Sequence, residues 1–144
     1  GGAARMVFRL PRAAGAGPHQ VFCQDARQLA ATVEAEAVYL DPPRGPEKAA
    51  GHMALLEEIA GPAGEPAGLG DWTEPERAAA ALADLVSKVR GRHLFLSYGS
   101  DGVIPNAQIW SILKTRGRPE CFEQEHGAAG GRVTERLFYC ELQN

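Results

Sequence analysis

Short apolar runs alternate with amphipathic stretches along this chain, and each change of period marks a change of element. Val21-Phe22-Cys23 is a short apolar run closed by Asp25, and Ala26 to Val33 reads as a short helix or turn. Ala37-Val38-Tyr39-Leu40 reads as a buried strand. It has to stop at Asp41-Pro42-Pro43, because proline brings no ladder donor and disfavours helical geometry in the residue before it. From His52 to Ala60, Met53, Leu55, Leu56 and Ile59 fall on one helical face. After a glycine- and proline-rich loop over 61–71, Thr73 is placed to cap another helix, with Pro75 in its first turn and Glu76 three residues on. Leu82, Leu85, Val86 and Val89 share its apolar side, and the helix is expected to run to about Arg90 and end at Gly91.

His93 to Ser97 repeats the buried-strand pattern and runs into the turn Gly99-Ser100-Asp101-Gly102. A helix follows from about Asn106 to Thr115, ended by Gly117. Glu120 to Glu125 and Val133 to Glu141 both alternate and are joined by the glycine turn 127–131, which predicts an antiparallel hairpin. Strand, helix, strand, helix and closing hairpin together predict an α/β sheet. Met6 to Leu10 has the pattern of a further short strand, but Pro11 and the run 13–18 break any regular element after it. Residues 1–20 therefore read as an irregular lead-in and 21–144 as the domain.

Composition narrows the function classes. The chain has 144 residues, 44% of them hydrophobic, enough for one domain with a core and too apolar for general disorder. No apolar run approaches the roughly 20 residues that cross a bilayer, so no membrane partner is expected. The net charge of −3 excludes a chain that is basic throughout, yet Arg5, Arg9 and Arg12, and later Arg116, Arg118, Arg132 and Arg136, cluster near the two ends and leave room for a local phosphate-facing patch. Cys23, Cys121 and Cys140 are too few and too widely spaced for a disulfide ladder or zinc knuckle, and read as free thiols in a reducing cytoplasm. His19, His52, His93 and His126 show no metal-ligand spacing, so no metal is expected. Ser97 and Ser100 lie in no nucleophile elbow. Trp72 and Trp110 read as packing residues.

The tetrapeptide Asp41-Pro42-Pro43-Arg44 carries the candidate chemistry. A carboxylate at the carboxyl end of a parallel strand lies where α/β sheets bind ligands. Two prolines stiffen the backbone and leave their carbonyls outside any helix. A fixed acid beside a fixed carbonyl can accept both hydrogens of an amino group and direct the nitrogen lone pair at an electrophile. Asp-Pro-Pro by itself is also a plain loop breaker, so its surroundings decide its weight.

Those surroundings resemble the adenine-specific DNA methyltransferases of the Dam-related class. Their Asp-Pro-Pro-Tyr loop matches Asp41-Pro42-Pro43-Arg44, and the segment from Gly51 to Ala60 is similar to the helix that follows it. Leu94 to Gly102 resembles their Ser-Tyr-Asn-Ser-Glu-Gly strand and turn, and Arg132 to Phe138 their closing strand. The likeness covers roughly residues 20–142 in order. It implies a partial Rossmann-like methyltransferase sheet, S-adenosylmethionine as methyl donor and DNA as partner. Asp41 and the Pro42 carbonyl would hold the target amine, with Pro43 and Arg44 completing the catalytic loop. Asp25, with Phe22 beside it, would bind the adenine moiety of the donor, and Tyr98 would line the base or donor pocket or else pack a strand end. The base would be flipped out of the duplex, and the methyl would pass straight from sulfur to nitrogen.

Two departures temper the likeness. Position 44 is Arg where the family has an aromatic residue, which puts a positive charge near the place of the sulfonium. Gly1-Gly2-Ala3-Ala4 does not supply the glycine-rich donor loop, and the recognition segment before the motif is reduced. The family's first two strands, which separate the Asp25 strand from the Asp41 strand, are not evident. The chain is therefore expected to be impaired alone and to be completed by a second chain, or else to act as a non-catalytic remnant that binds DNA or protein.

Overall fold

The structure is a computed structural model, and it describes residues 20, 22, 24–45, 69–128 and 131–143. The expected strand Met6–Leu10, the expected helix His52–Ala60, and Val21 and Cys23 lie outside the described residues.

Helix α1 (Ala26–Thr32) leads into strand β1 (Glu34–Leu40); a short 3-10 turn (Leu69–Trp72) precedes helix α2 (Pro75–Lys88) and strand β2 (Arg90–Gly99). Helix α3 (Asn106–Lys114) then leads to the hairpin β3 (Gly117–Ala128) and β4 (Gly131–Leu142). The sheet order is β1-β2-β4-β3. β1 and β2 are parallel, in register from Glu34↔Arg90 to Leu40↔Leu96. β4 inserts antiparallel between β2 and β3, pairing Leu96 with Phe138 and Cys121 with Phe138 across its two edges. The mixed α/β class and the closing hairpin expected from the sequence are both present.

The core lies between one face of this sheet and the helices. Leu94, Leu96 and Tyr98 alternate along β2 and are buried, as period-2 strand geometry requires. Phe138, Cys140 and Leu142 do the same on β4. Ala78, Leu82 and Val86 of α2 and Ile109 and Leu113 of α3 close over them. Each fully buried Leu, Ile or Phe stabilises the fold by roughly 1.5–3 kcal/mol. Trp110 meets Phe138 edge-on with ring centroids 5.6 Å apart, so it packs the core as expected, and Trp72 lies against the same cluster.

Three local expectations need correction. β1 is not a buried strand: Val38 and Leu40 face the core, but Tyr39, pointing the other way, is 61% exposed. Among the described residues β1 pairs only with β2, so one edge and one face have no described cover. Thr73 does not cap α2; its hydroxyl donates to the Gly70 carbonyl at 3.0 Å, and Glu74 takes the cap position without a side-chain bond. The 3-10 turn supplies an acceptor that sequence spacing does not reveal. Finally, α2 ends at Lys88, with Val89 already extended, and Gly91 belongs to β2. The orphan carbonyls at that end go to Arg116, whose guanidinium donates to Val86, Ser87 and Val89 oxygens at 2.6, 2.9 and 3.1 Å.

Candidate functional site

Leu40 is the last residue of β1, so Asp41 stands directly beyond a parallel strand's carboxyl end. The two prolines behave as stiffeners: Pro42 is buried and Pro43 half-buried, while Asp41 itself is exposed. The carboxylate is thereby presented to solvent from an anchored backbone.

Arg44 turns inward. Its guanidinium forks onto Glu135 of β4, Nη1 to Oε1 at 2.6 Å and Nη2 to Oε2 at 2.7 Å, and Nη1 also reaches Asp101 at 3.5 Å. Two parallel charge-assisted bonds fix the plane of the group as well as its position. The Arg44 carbonyl accepts the N–H of Val103 at 2.9 Å. Hydrogen bonding to Glu135, and the negative charges of Glu135 and Asp41, raise the Arg44 pKa against the opposing effect of burial. The positive charge at position 44 thus has two carboxylate partners.

Tyr98 closes the far end of β2. It is 1% exposed, and its hydroxyl accepts the N–H of Ile104 at 3.1 Å. Burial raises its pKa, with the hydrogen bonds from Ile104 and Val103 and the nearby charge of Arg44 acting against it. These contacts are those of a residue packing a strand end.

Asp25 is the N-cap of α1, the short helix expected from Ala26: its side chain accepts the Arg27 N–H at 2.8 Å and starts the helix. Arg27 also clasps it through the side chain, Nη2 to Oδ2 at 2.8 Å, and reaches Asp71 at 3.0 Å. The Arg27 hydrogen bond is the main reason the Asp25 carboxyl is held down at about 2. Phe22 is 49% exposed. Two of the expected loci, the 41–44 segment and Tyr98, are thus brought together through Val103 and Arg44. No described contact joins Asp25 or Phe22 to them.

The residues that sequence reasoning left out are Glu135 and Asp101. Both lie in the segments that carry the resemblance; an arginine in place of an aromatic residue calls for carboxylates nearby, but nothing along the chain says which ones, because they lie 57 and 91 positions away. Of the arginines expected to form a basic patch, Arg5, Arg9 and Arg12 lie outside the described residues. Arg116 caps α2, while Arg132 pairs with Glu125 at 3.1 Å and Arg136 with Glu123 at 2.7 Å.

A cavity of about 1010 Å³ opens at the opposite end of the sheet, between the starts of β1 and β2, lined by Glu34, Lys88, Arg90, Arg92 and Arg116 among others. None of the expected site residues lines it. Ligands of α/β sheets sit at carboxyl ends of strands, so size alone does not make this cavity the site. Among the described residues no group of three or more His, Cys, Asp or Glu is placed to hold a metal, and no helix is long and apolar enough to cross a membrane.

The chain is similar to parts of Type II methyltransferases. It is 26% identical over 146 aligned positions to Type II methyltransferase M.FokI of Planomicrobium okeanokoites, covering 85% of this chain and 22% of that protein. Modification methylase StsI of Streptococcus sanguinis is 28% identical over 108 positions, 67% of this chain and 16% of its own length. Type II methyltransferase M.NlaIII of Neisseria lactamica is 25% identical over 122 positions, 78% of this chain and 36% of its own. The chain therefore spans between 16% and 36% of the length of these relatives. No family model matches the sequence, and no solved structure matches.

Proposed function

We propose that this chain supplies the acceptor-gripping part of an S-adenosylmethionine-dependent methyltransferase that acts on the exocyclic amine of adenine in DNA, of the Dam-related class. The observation that carries the reading is Asp41, exposed immediately beyond the carboxyl end of a parallel strand on a backbone anchored by buried Pro42. The likeness to M.FokI, StsI and M.NlaIII supports methyl transfer in general.

In this reading Asp41 accepts one hydrogen of the flipped base's amine and the Pro42 carbonyl accepts the other. The two acceptors orient the nitrogen and draw density into its lone pair. S-adenosylmethionine, when bound, supplies the electrophilic methyl group. Asp25 has the chemistry to help hold it: among the described residues Oδ1 accepts two bonds from Arg27 and Oδ2 one, and a carboxylate oxygen takes about two. Oδ2 is therefore the acceptor that would meet an adenine amino group, with the exposed Phe22 three residues before it in the chain. These few contacts make transfer by the chain alone weak, and a second chain completing the sheet beside β1 would strengthen it.

A second reading is a non-catalytic module that binds DNA or protein. It is favoured by Arg44, a cation whose edge is held by Glu135 at the position where the family has an aromatic residue. One experiment separates the two. The purified chain is incubated with methyl-labelled donor and adenine-containing duplex, and label is traced to the base. Label on the adenine amine that Asp41→Ala lowers by about 100-fold or more supports the enzyme reading. Label that is indifferent to Asp41→Ala, or no label with donor in excess, overturns it.

A further inference from the structure

The function proposed above uses Asp41 and leaves unexplained why its loop ends in an arginine that turns away from solvent. Three observations converge on that side chain. Arg44 is bidentate to Glu135, which lies 91 positions on along the chain in β4. It also reaches Asp101, 57 positions on in the turn after β2. The turn and β4 are themselves tied: the Ser100 N–H donates to the Thr134 carbonyl at 2.8 Å, and the Thr134 N–H donates to the Ser100 hydroxyl at 2.9 Å. The path of the guanidinium crosses Gly99, paired with Glu135 in the sheet register. A Cβ at position 99 would fall 2.5 Å from Arg44 Nη1. The backbone closes the circuit, since Val103 donates to the Arg44 carbonyl.

We propose that Glu135 and Asp101 are positioning residues that clamp the 41–44 segment to β4 and to the turn through the Arg44 side chain, and so fix where Asp41 stands. A two-point fork determines both reach and orientation, which a single point charge does not. The side chains of Arg44, Asp101 and Glu135 are 21%, 19% and 35% exposed, so water screens the clamp only in part. Neither acid touches the substrate in this arrangement; both act through Arg44. The catalytic consequence rests on the function proposed above, whereas the clamp itself does not.

The test uses the full chain and two readouts. Hydrogen exchange of the Val103 amide reports how firmly the loop is held, and methyl transfer reports where Asp41 stands. Glu135→Gln is expected to speed Val103 exchange by about tenfold and to lower kcat by a similar factor with little change in KM for DNA. Arg44→Lys, which keeps the charge and loses the fork, falls between the two. The exchanged pair Arg44→Glu with Glu135→Arg restores slow exchange and part of kcat, a rescue that a general loss of folding would not give. Asp101→Asn, a milder change, moves both readouts in the same direction and keeps the question answerable if Glu135→Gln unfolds. Unaltered Val103 exchange in Glu135→Gln and Asp101→Asn overturns the clamp. Faster exchange without any methyl transfer by the parent chain supports the clamp and overturns the functional reading. Asp41-dependent transfer with an unaltered kcat in Glu135→Gln overturns the positioning role and leaves the functional reading standing.

Discussion

The Tyr98 hydroxyl accepts the backbone N–H of Ile104 at 3.1 Å inside the core, six residues on. A side chain at the end of β2 thus satisfies a donor in the segment that leads into α3. The turn between them arches over the phenol ring, and Gly102 lies so close to that ring that a Cβ there would overlap it.

Removing the hydroxyl isolates the contact. Tyr98→Phe keeps the ring and strands the buried Ile104 N–H, and an unsatisfied buried donor costs about 1–3 kcal/mol. Urea unfolding is expected to show a loss of that size without a change in slope. Equal stability would mean that the N–H finds another partner.

Gly102→Ala attacks the same place from the other side. Overpacking a filled site costs about 1–3 kcal/mol, and the Tyr98 ring here is fully buried, with no room to swing away. The expected result is a lower urea midpoint, with a change in tyrosine fluorescence as the ring shifts. A neutral outcome would show that the turn is looser than its geometry implies.

Arg116 replaces a glycine cap at the end of α2, donating to three carbonyls. Hydrogen bonds from a charged group are worth about 1.5–3 kcal/mol, so Arg116→Met should destabilise within that range. Arg116→Lys should recover little, because one ammonium cannot span three acceptors set for a planar fork. Full recovery by lysine would show that charge, not geometry, closes the helix.

Asp25 predicts an acid-sensitive contribution. Its carboxyl is lowered from 3.8 to about 2, chiefly by the hydrogen bond from Arg27. A pKa lowered on folding stabilises above the unfolded value, and that stability disappears as pH falls through the folded one. Asp71 is also lowered, first by Arg77 and then by Arg27. The stability difference between the parent and Arg27→Met should therefore be level above about pH 4 and shrink towards pH 2. A difference that stays constant over that window would show that the pairs contribute nothing through charge.

How much of this was readable in advance differs between elements and site. The α1 helix, the β2 strand, the α3 helix and the closing hairpin were legible because period, glycine and proline act within a few residues. Helix ends were less so. Thr73 was drawn to Gly70, and α2 gave its last carbonyls to Arg116, a choice made only once β3 had been brought alongside. Asp25 closes an apolar run in the sequence, and only its side-chain bond to the Arg27 N–H shows that it also caps the helix that follows.

At the candidate site, the order of residues determined that a proline-stiffened acid ends β1, because that is chain chemistry and needs no neighbour. Only the folded sheet decided where Arg44 points. Its partners lie 57 and 91 positions away and meet it because β4 inserts beside β2. An ion pair leaves no periodic trace along the chain, so the sequence contained both halves of the clamp without saying that they touch.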